Sequence, residues 1–257
     1  MKNEDLVLDR NYKKGDEGKK VKLIQEWLCL HNILVTIDGD FGSVTQAAVK
    51  VFQSFCNNLE CDGIVGSQTF KCLVQPMKEV TKSFERVPPV NYASISKRIT
   101  NYAFRHLIQH PREVGGQNRG PWVRLYMRGE DGTNYPWCCG FVCYILKQAY
   151  GKEKLPVIET FNVDLMVKDA IKKGMFLTGN VNYPVLDFKK SLIPGDFFVC
   201  RKVYGDWTHI GIIVEIMEDY FTTIEGNTND AGEREGYEVC KRIRGYRKKD
   251  FILIGRK

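Results

Sequence analysis

The sequence predicts an α+β fold in two parts: a small three-helix module, then a larger domain whose helices precede an antiparallel sheet. Three observations predict it. The pattern D-G-x-x-G-S-x-T occurs twice in the first 75 residues, as DGDFGSVT at 38–45 and DGIVGSQT at 62–69. Apolar spacing is helical in the first part of the chain and alternates with period two beyond Gly174. Between the parts, QPMKEVTKSFERVPPVNYA at 75–93 loses periodicity and carries Pro88-Pro89, the signature of a linker. The expected domains are therefore 1–74 and 94–257, joined by 75–93.

Within the module, Val21, Ile24, Trp27 and Leu28 form the apolar stripe of a first helix. Each Asp-Gly marks a turn, because glycine tolerates the positive φ of tight turns. Ser43 and Ser67 are placed to N-cap the helices that follow. Val44, Ala48, Val51, Phe52 and Phe55 then keep helical spacing, and Phe70 and Leu73 begin a short third helix. The repeated Asp and Gly residues read as turn formers. His31 has no partner nearby in sequence and reads as packing or surface.

In the second part, Ser94 caps a helix whose stripe is Ile95, Ile99, Tyr102, Ala103 and His106. His106 and His110 are four apart, as metal ligands on one helix face can be, but no third ligand stands near them. His106 reads as a packed histidine. Residues 113–135 are polar and glycine-rich, with a short helix around 122–127, and suit a groove wall that sets specificity. Residues 137–150 read as a helix. Strands are expected at 197–204, 210–218, 220–225, 237–244 and 251–255, and the short connections imply antiparallel pairing.

Three of nine cysteines stand in YPWCCGFVC at 135–143. Spacings of one and four do not suit a zinc knuckle, which wants CxxC pairs. A disulfide between such neighbours on a helix would be strained. What is left is a nucleophile or small core hydrophobes. A helix start lowers a thiol's pKa through its unpaired N–H groups, and Cys138 is the earliest cysteine in the first turn. Cys139 and Cys143 share a helix face and read as core. The nucleophile needs a base. His209, in DWTHIGIIVEI, stands at the mouth of an apolar strand and fits that role. An orienting group is expected in TTIEGNTND at 222–230, where Glu225 and Asn227, two apart on a strand, face the same side. Either is a candidate.

Two resemblances follow. GDEGKKVKLIQEWL from Gly15, DGDFGSVTQAAVKVFQ from Asp38 and DGIVGSQTF from Asp62 resemble the three-helix peptidoglycan-binding domain. That family often has Pro where Ser43 and Ser67 stand. WCCGF from Trp137, PGDFFV from Pro194, HIGIIVE from His209 and IEGNT from Ile224 resemble, in this order, the CHAP family of peptidoglycan amidases and endopeptidases and the wider NlpC-type, papain-like peptidases. This resemblance implies Cys138 as nucleophile, His209 as base, and Glu225 and Asn227 at the final acidic and amide positions. It implies a second oxyanion donor beside the Cys138 N–H, from among Asn134, Tyr135 and Gln117. Cys139 departs from the small residue expected after the nucleophile, so it is itself a candidate thiol. Some relatives hold calcium before the nucleophile; Glu130 and Asp131 are nearby, but their spacing does not match, and no metal or cofactor is expected.

The expected function is therefore hydrolysis of an amide bond in peptidoglycan, the muramoyl–alanine link or a stem-peptide bond, by a wall-anchored cysteine enzyme. The rivals are a papain-like protease or deamidase acting on protein, and an inactive wall-binding protein. Lys and Arg number 9 against 10 Asp and Glu in residues 1–75, and 29 against 21 beyond, so the net charge of +7 lies in the second part. No basic run or nucleic-acid motif accompanies it, so nucleic acid is not an expected partner. No apolar run spans a membrane, and MKNEDLVLDR lacks the apolar core of a signal peptide. The expected protein is a monomer with reduced thiols, made in the cytosol and reaching the wall by lysis or non-classical export.

Overall fold

The computed structural model describes residues 4–82, 94–179, 190–203, 205–228 and 236–254. The helices are α1 (Lys19–Leu30), α2 (Ser43–Phe55), α3 (Ser67–Leu73), α4 (Gln75–Thr81), α5 (Ile95–Ile108), α6 (Pro121–Tyr126), α7 (Cys138–Tyr150) and α8 (Val163–Lys172). The strands are β1 (Phe176–Leu177), β2 (Phe197–Val203), β3 (Asp206–Ile216), β4 (Tyr220–Thr228), β5 (Glu238–Gly245) and β6 (Lys249–Ile252). They make one antiparallel sheet in the order β1-β6-β2-β3-β4-β5. Helices first and an antiparallel sheet after is the α+β arrangement read from the sequence.

The described chain forms two compact units, divided differently from the sequence expectation. One unit takes the described residues up to Lys82 together with Arg112–Thr133; the other takes the rest. The first seven residues of the expected linker are no linker but form α4, which buries Met77 and Val80. Its Pro88-Pro89 lies outside the described residues.

In the first unit the two D-G-x-x-G-S-x-T copies are held by the same device. The Gln25 side chain, buried on α1, donates to the Asp38 carboxylate (2.7 Å) and the Asp40 carbonyl (3.0 Å), and its own oxygen accepts from the Gly39 N–H (2.8 Å). Gln53 on α2 repeats this at the second copy, with Asp62 (2.8 Å), the Ile64 carbonyl (3.0 Å) and the Gly63 N–H (2.9 Å). Gly39 and Gly63 take φ of 84° and 78°, which a side chain would strain. The repeated residues are turn formers, and their fasteners are glutamines one helix earlier.

Two local readings are corrected here. Gly42 and Gly66 are the N-caps, and Ser43 and Ser67 are the first helical residues without side-chain cap bonds. That places serine where proline is tolerated, at the start of a helix. The buried face of α2 is Thr45, Ala48, Val49, Phe52 and Gln53, whereas Val44, Val51 and Phe55 are exposed. Two polar residues occupy core positions because the clasps need them, so apolar spacing alone placed the stripe wrongly. His31 packs, with its ring on Phe52 (4.8 Å) and Nε2 at the Leu73 carbonyl (2.8 Å).

Residues 112–133 join this unit through packing and charge. Trp122 of α6 meets Trp27 edge-on at 6.3 Å. Arg124 donates through Nε to Asp5 (2.8 Å), through Nη2 to Glu26 (2.6 Å) and through Nη1 to Asp131 (2.8 Å). Arg112 donates to the Leu30 carbonyl (2.8 Å) and to Asn32 (2.6 Å).

In the second unit α7 packs on β3 and β4, α5 packs on α7, and α8 lies on β3. The PGDFFV stretch is a structural corner. The buried Asp196 carboxylate accepts from the Ile193 N–H (2.9 Å) and the Ile254 N–H (2.8 Å), which ties the start of β2 to the chain after β6. His106 is buried and bonded to Gln148 (3.0 Å), while His110 meets Glu238 (2.5 Å). The two histidines thus have separate partners.

Candidate active site

Cys138 is the first residue of α7, with Trp137 as N-cap. The first N–H groups of a helix have no intrahelical acceptor and point toward the thiol's end of the helix. β4 approaches this end closely because position 226 has no side chain. A Cβ on Gly226 would stand 2.7 Å from the Phe141 Cβ and 2.9 Å from the Trp137 ring.

His209, on β3, meets Glu225 of β4 through Nε2 at 2.7 Å, and the Cys138 side chain stands beside the same ring and acts on its charge. With Nε2 taken, Nδ1 is the ring nitrogen left for the thiol. Glu225 is fully buried, and its Oε1 also receives the Thr223 hydroxyl. From β5, Arg244 reaches the same carboxylate with Nε on Oε1 (2.8 Å) and Nη2 on Oε2 (2.5 Å). Phe198 of β2 lies against both the His209 ring (6.1 Å) and the Arg244 guanidinium (5.7 Å).

The electrostatics follow from these partners. Burial would lower the His209 pKa, but the hydrogen bonds and charges of Cys138 and Glu225 outweigh it and hold it raised, at about 10. Burial would raise the Glu225 carboxyl, but Arg244 and then His209 hold it down at about 2. At neutral pH the ring facing the thiol therefore holds its proton, a cation backed by a carboxylate and a guanidinium.

The four site residues expected from sequence are not equally engaged. Cys138, His209 and Glu225 come together. Asn227 does not reach His209: the β4–β5 ladder bulges between Glu225 and Thr228, Asn227 has φ of 53°, and strand alternation fails there. Its Oδ1 is buried with no hydrogen-bond partner. Cys139 and Cys143 each donate to the Thr160 carbonyl (3.2 Å). The Cys143 contact and burial together push the Cys139 thiol well above its ordinary pKa. Of the donors weighed for the oxyanion, Asn134 and Tyr135 belong to this unit and Gln117 to the other. Asp131 is bound by Arg124 and by the Gly120 N–H (3.2 Å).

Sequence reasoning missed Arg244. Its only local signal is a basic residue on an alternating strand, in RIRGYR at 242–247. It also passed over Gly211, whose missing side chain makes room for the acid. A Cβ there would stand 2.6 Å from the Phe198 ring and 2.7 Å from the Glu225 Cγ. Gly211→Ala is expected to displace Glu225 and lower turnover by about tenfold to a hundredfold, since misplacements near 1 Å have such costs. Steady-state rates with a matched thermal melt check this; unchanged turnover would mean Phe198 yields instead.

Residues 17–73 match the family model described as "Putative peptidoglycan binding domain". No curated protein matches the chain. Among solved structures, the endolysin of Burkholderia AP3 phage is similar with a TM-score of 0.24 and 24% identity, over 38% of this chain and 37% of that one. The domain match makes peptidoglycan the partner that the first unit points to and gives the chain a function related to the cell wall. No helix among the described residues is long and apolar enough to cross a membrane.

Proposed function

We propose that this protein is a cell-wall hydrolase that cleaves an amide bond of peptidoglycan with Cys138 as nucleophile. The observation that carries the reading is the His209–Glu225 pair (2.7 Å) beside Cys138 at the start of α7, in a chain whose residues 17–73 match a peptidoglycan-binding domain. That domain holds the enzyme on the wall and raises the local substrate concentration for the second unit.

In the proposed mechanism His209 holds the Cys138 proton as its imidazolium, and the thiolate attacks the amide carbonyl carbon. The Cys138 N–H, in the open first turn of α7, donates to the developing oxyanion. As the tetrahedral intermediate collapses, the C–N bond breaks and His209 gives its proton to the leaving amine. Water, deprotonated by His209, then attacks the thioester and releases the carboxylate and the thiol. Glu225 holds the imidazole and stabilises its charged form, as the third member of such triads does. The muramoyl–alanine amide and the stem-peptide amides offer the same carbonyl to this machinery.

The test is digestion of purified peptidoglycan. The expected result is new free amino groups without new reducing sugar ends, and the fragment masses name the bond cut. Glycan cleavage, or turnover of soluble protein with the wall left intact, would overturn the reading.

A further inference from the structure

Glu225 carries a charge at a position with no solvent exposure, and four donors fill its two oxygens. Beside a histidine alone, a carboxylate so buried would tend to take up a proton. A planar fork of N–H donors is the group best matched to hold it ionised and fixed. We propose that Arg244 is a positioning residue of the active site: from strand β5 it locks the Glu225 carboxylate so that the His209 ring is held in one orientation toward Cys138. The proposal rests on the reading of Cys138 as nucleophile.

Three features of the fold support it. β5 is the edge strand of the sheet, so the catalytic geometry depends on the pairing of β4 with β5. In that ladder Glu225 faces Cys240, Thr223 faces Arg242 and Phe221 faces Arg244, so Arg244 and Glu225 share one face of the pair and the long Arg244 side chain reaches back along it to the carboxylate. Phe198 lies against both guanidinium and imidazole, so one ring sets the level of both. The groups facing this set are Cys138 of α7 and Glu225 of β4 around His209, Thr223 of β4 and Arg244 of β5 around Glu225, and Cys200 of β2 and Cys240 of β5 around Arg244.

The experiment uses the full chain. Arg244→Met keeps the apolar stem and loses the fork; Arg244→Lys keeps the charge alone. The first readout is the rate of Cys138 alkylation by iodoacetamide from pH 4 to 8, which needs no substrate. The second is kcat and KM on solubilised peptidoglycan, with a thermal melt of each variant. For Arg244→Met, alkylation at pH 6 is expected to slow about tenfold or more, with the acid limb of the profile moved up by about one pH unit. kcat falls while KM stays within about twofold, and Arg244→Lys recovers part of the rate. A folded Arg244→Met with the wild-type profile overturns the proposal. Should Arg244→Met not fold, a wild-type rate and acid limb in Arg244→Lys overturns it instead. Wild-type Cys138 reacting no faster than the other thiols overturns the nucleophile reading as well, whereas a selective wild type with unmoved variants overturns Arg244 alone.

Discussion

Cys138→Ala is expected to lower peptidoglycan turnover by about a thousandfold or more, the scale seen when a covalent nucleophile is removed. Cys139→Ala is expected to keep most of it. The two thiols are neighbours in sequence but have different surroundings. Cys138 stands beside an imidazole whose pKa is held at about 10, so a positively charged ring is in place to balance its thiolate. Cys139 donates to the Thr160 carbonyl and meets Cys143, which together with burial raises its pKa well above the ordinary value. A thiolate there would be buried against another thiol and a carbonyl oxygen. Its alanine variant loses a small buried side chain and a weak donor to a carbonyl that Cys143 still serves, about 1 kcal/mol of stability. The amine-release assay on both variants checks this. Loss with Cys139→Ala and retention with Cys138→Ala would reverse the assignment.

Arg124→Met is expected to destabilise the first unit by about 3 kcal/mol, because it leaves the buried Glu26 carboxylate without its cation. Glu26 is 4% exposed, and burial already holds its pKa above the ordinary value beside Arg124. Asp5 and Asp131 lose the same partner. Methionine keeps the apolar stem, so the loss reports charge and hydrogen bonding more than packing. Near-UV circular dichroism from the Trp27–Trp122 pair, followed through urea, reads the transition of this unit. An unchanged midpoint would mean that 112–133 is held by Trp122 and Arg112 rather than by the ion cluster.

Much of this was legible in the sequence where chemistry and local structure coincide. A cysteine at a predicted helix start, a histidine opening an apolar strand and an acid on the next strand each have a one-dimensional signature, and the sheet brings them together. The α+β order followed from the change of period from 3.6 to 2. What escaped depends on partners distant in sequence. Arg244 gains its meaning only through Glu225, 19 positions earlier on the neighbouring strand. Residues 113–135 read as a groove wall from their Gly-rich, aromatic character, yet Trp122 and Arg124 find partners on α1. The α2 stripe was misplaced because Gln53 and Thr45 are polar residues with structural work inside the core. Asn227 was paired with Glu225 by strand alternation, and the bulge at 226–227 is invisible to a period of two.

Both predictions about thiols rest on one claim, that Cys138 is the activated nucleophile. The most direct measurement is to treat the wild-type protein with substoichiometric iodoacetamide at pH 6, locate the modified cysteine by peptide mass mapping, and assay the same samples on peptidoglycan. The account predicts that Cys138 is modified first among the nine cysteines and that activity falls in proportion to its modification. Full modification of Cys138 with activity intact would contradict it.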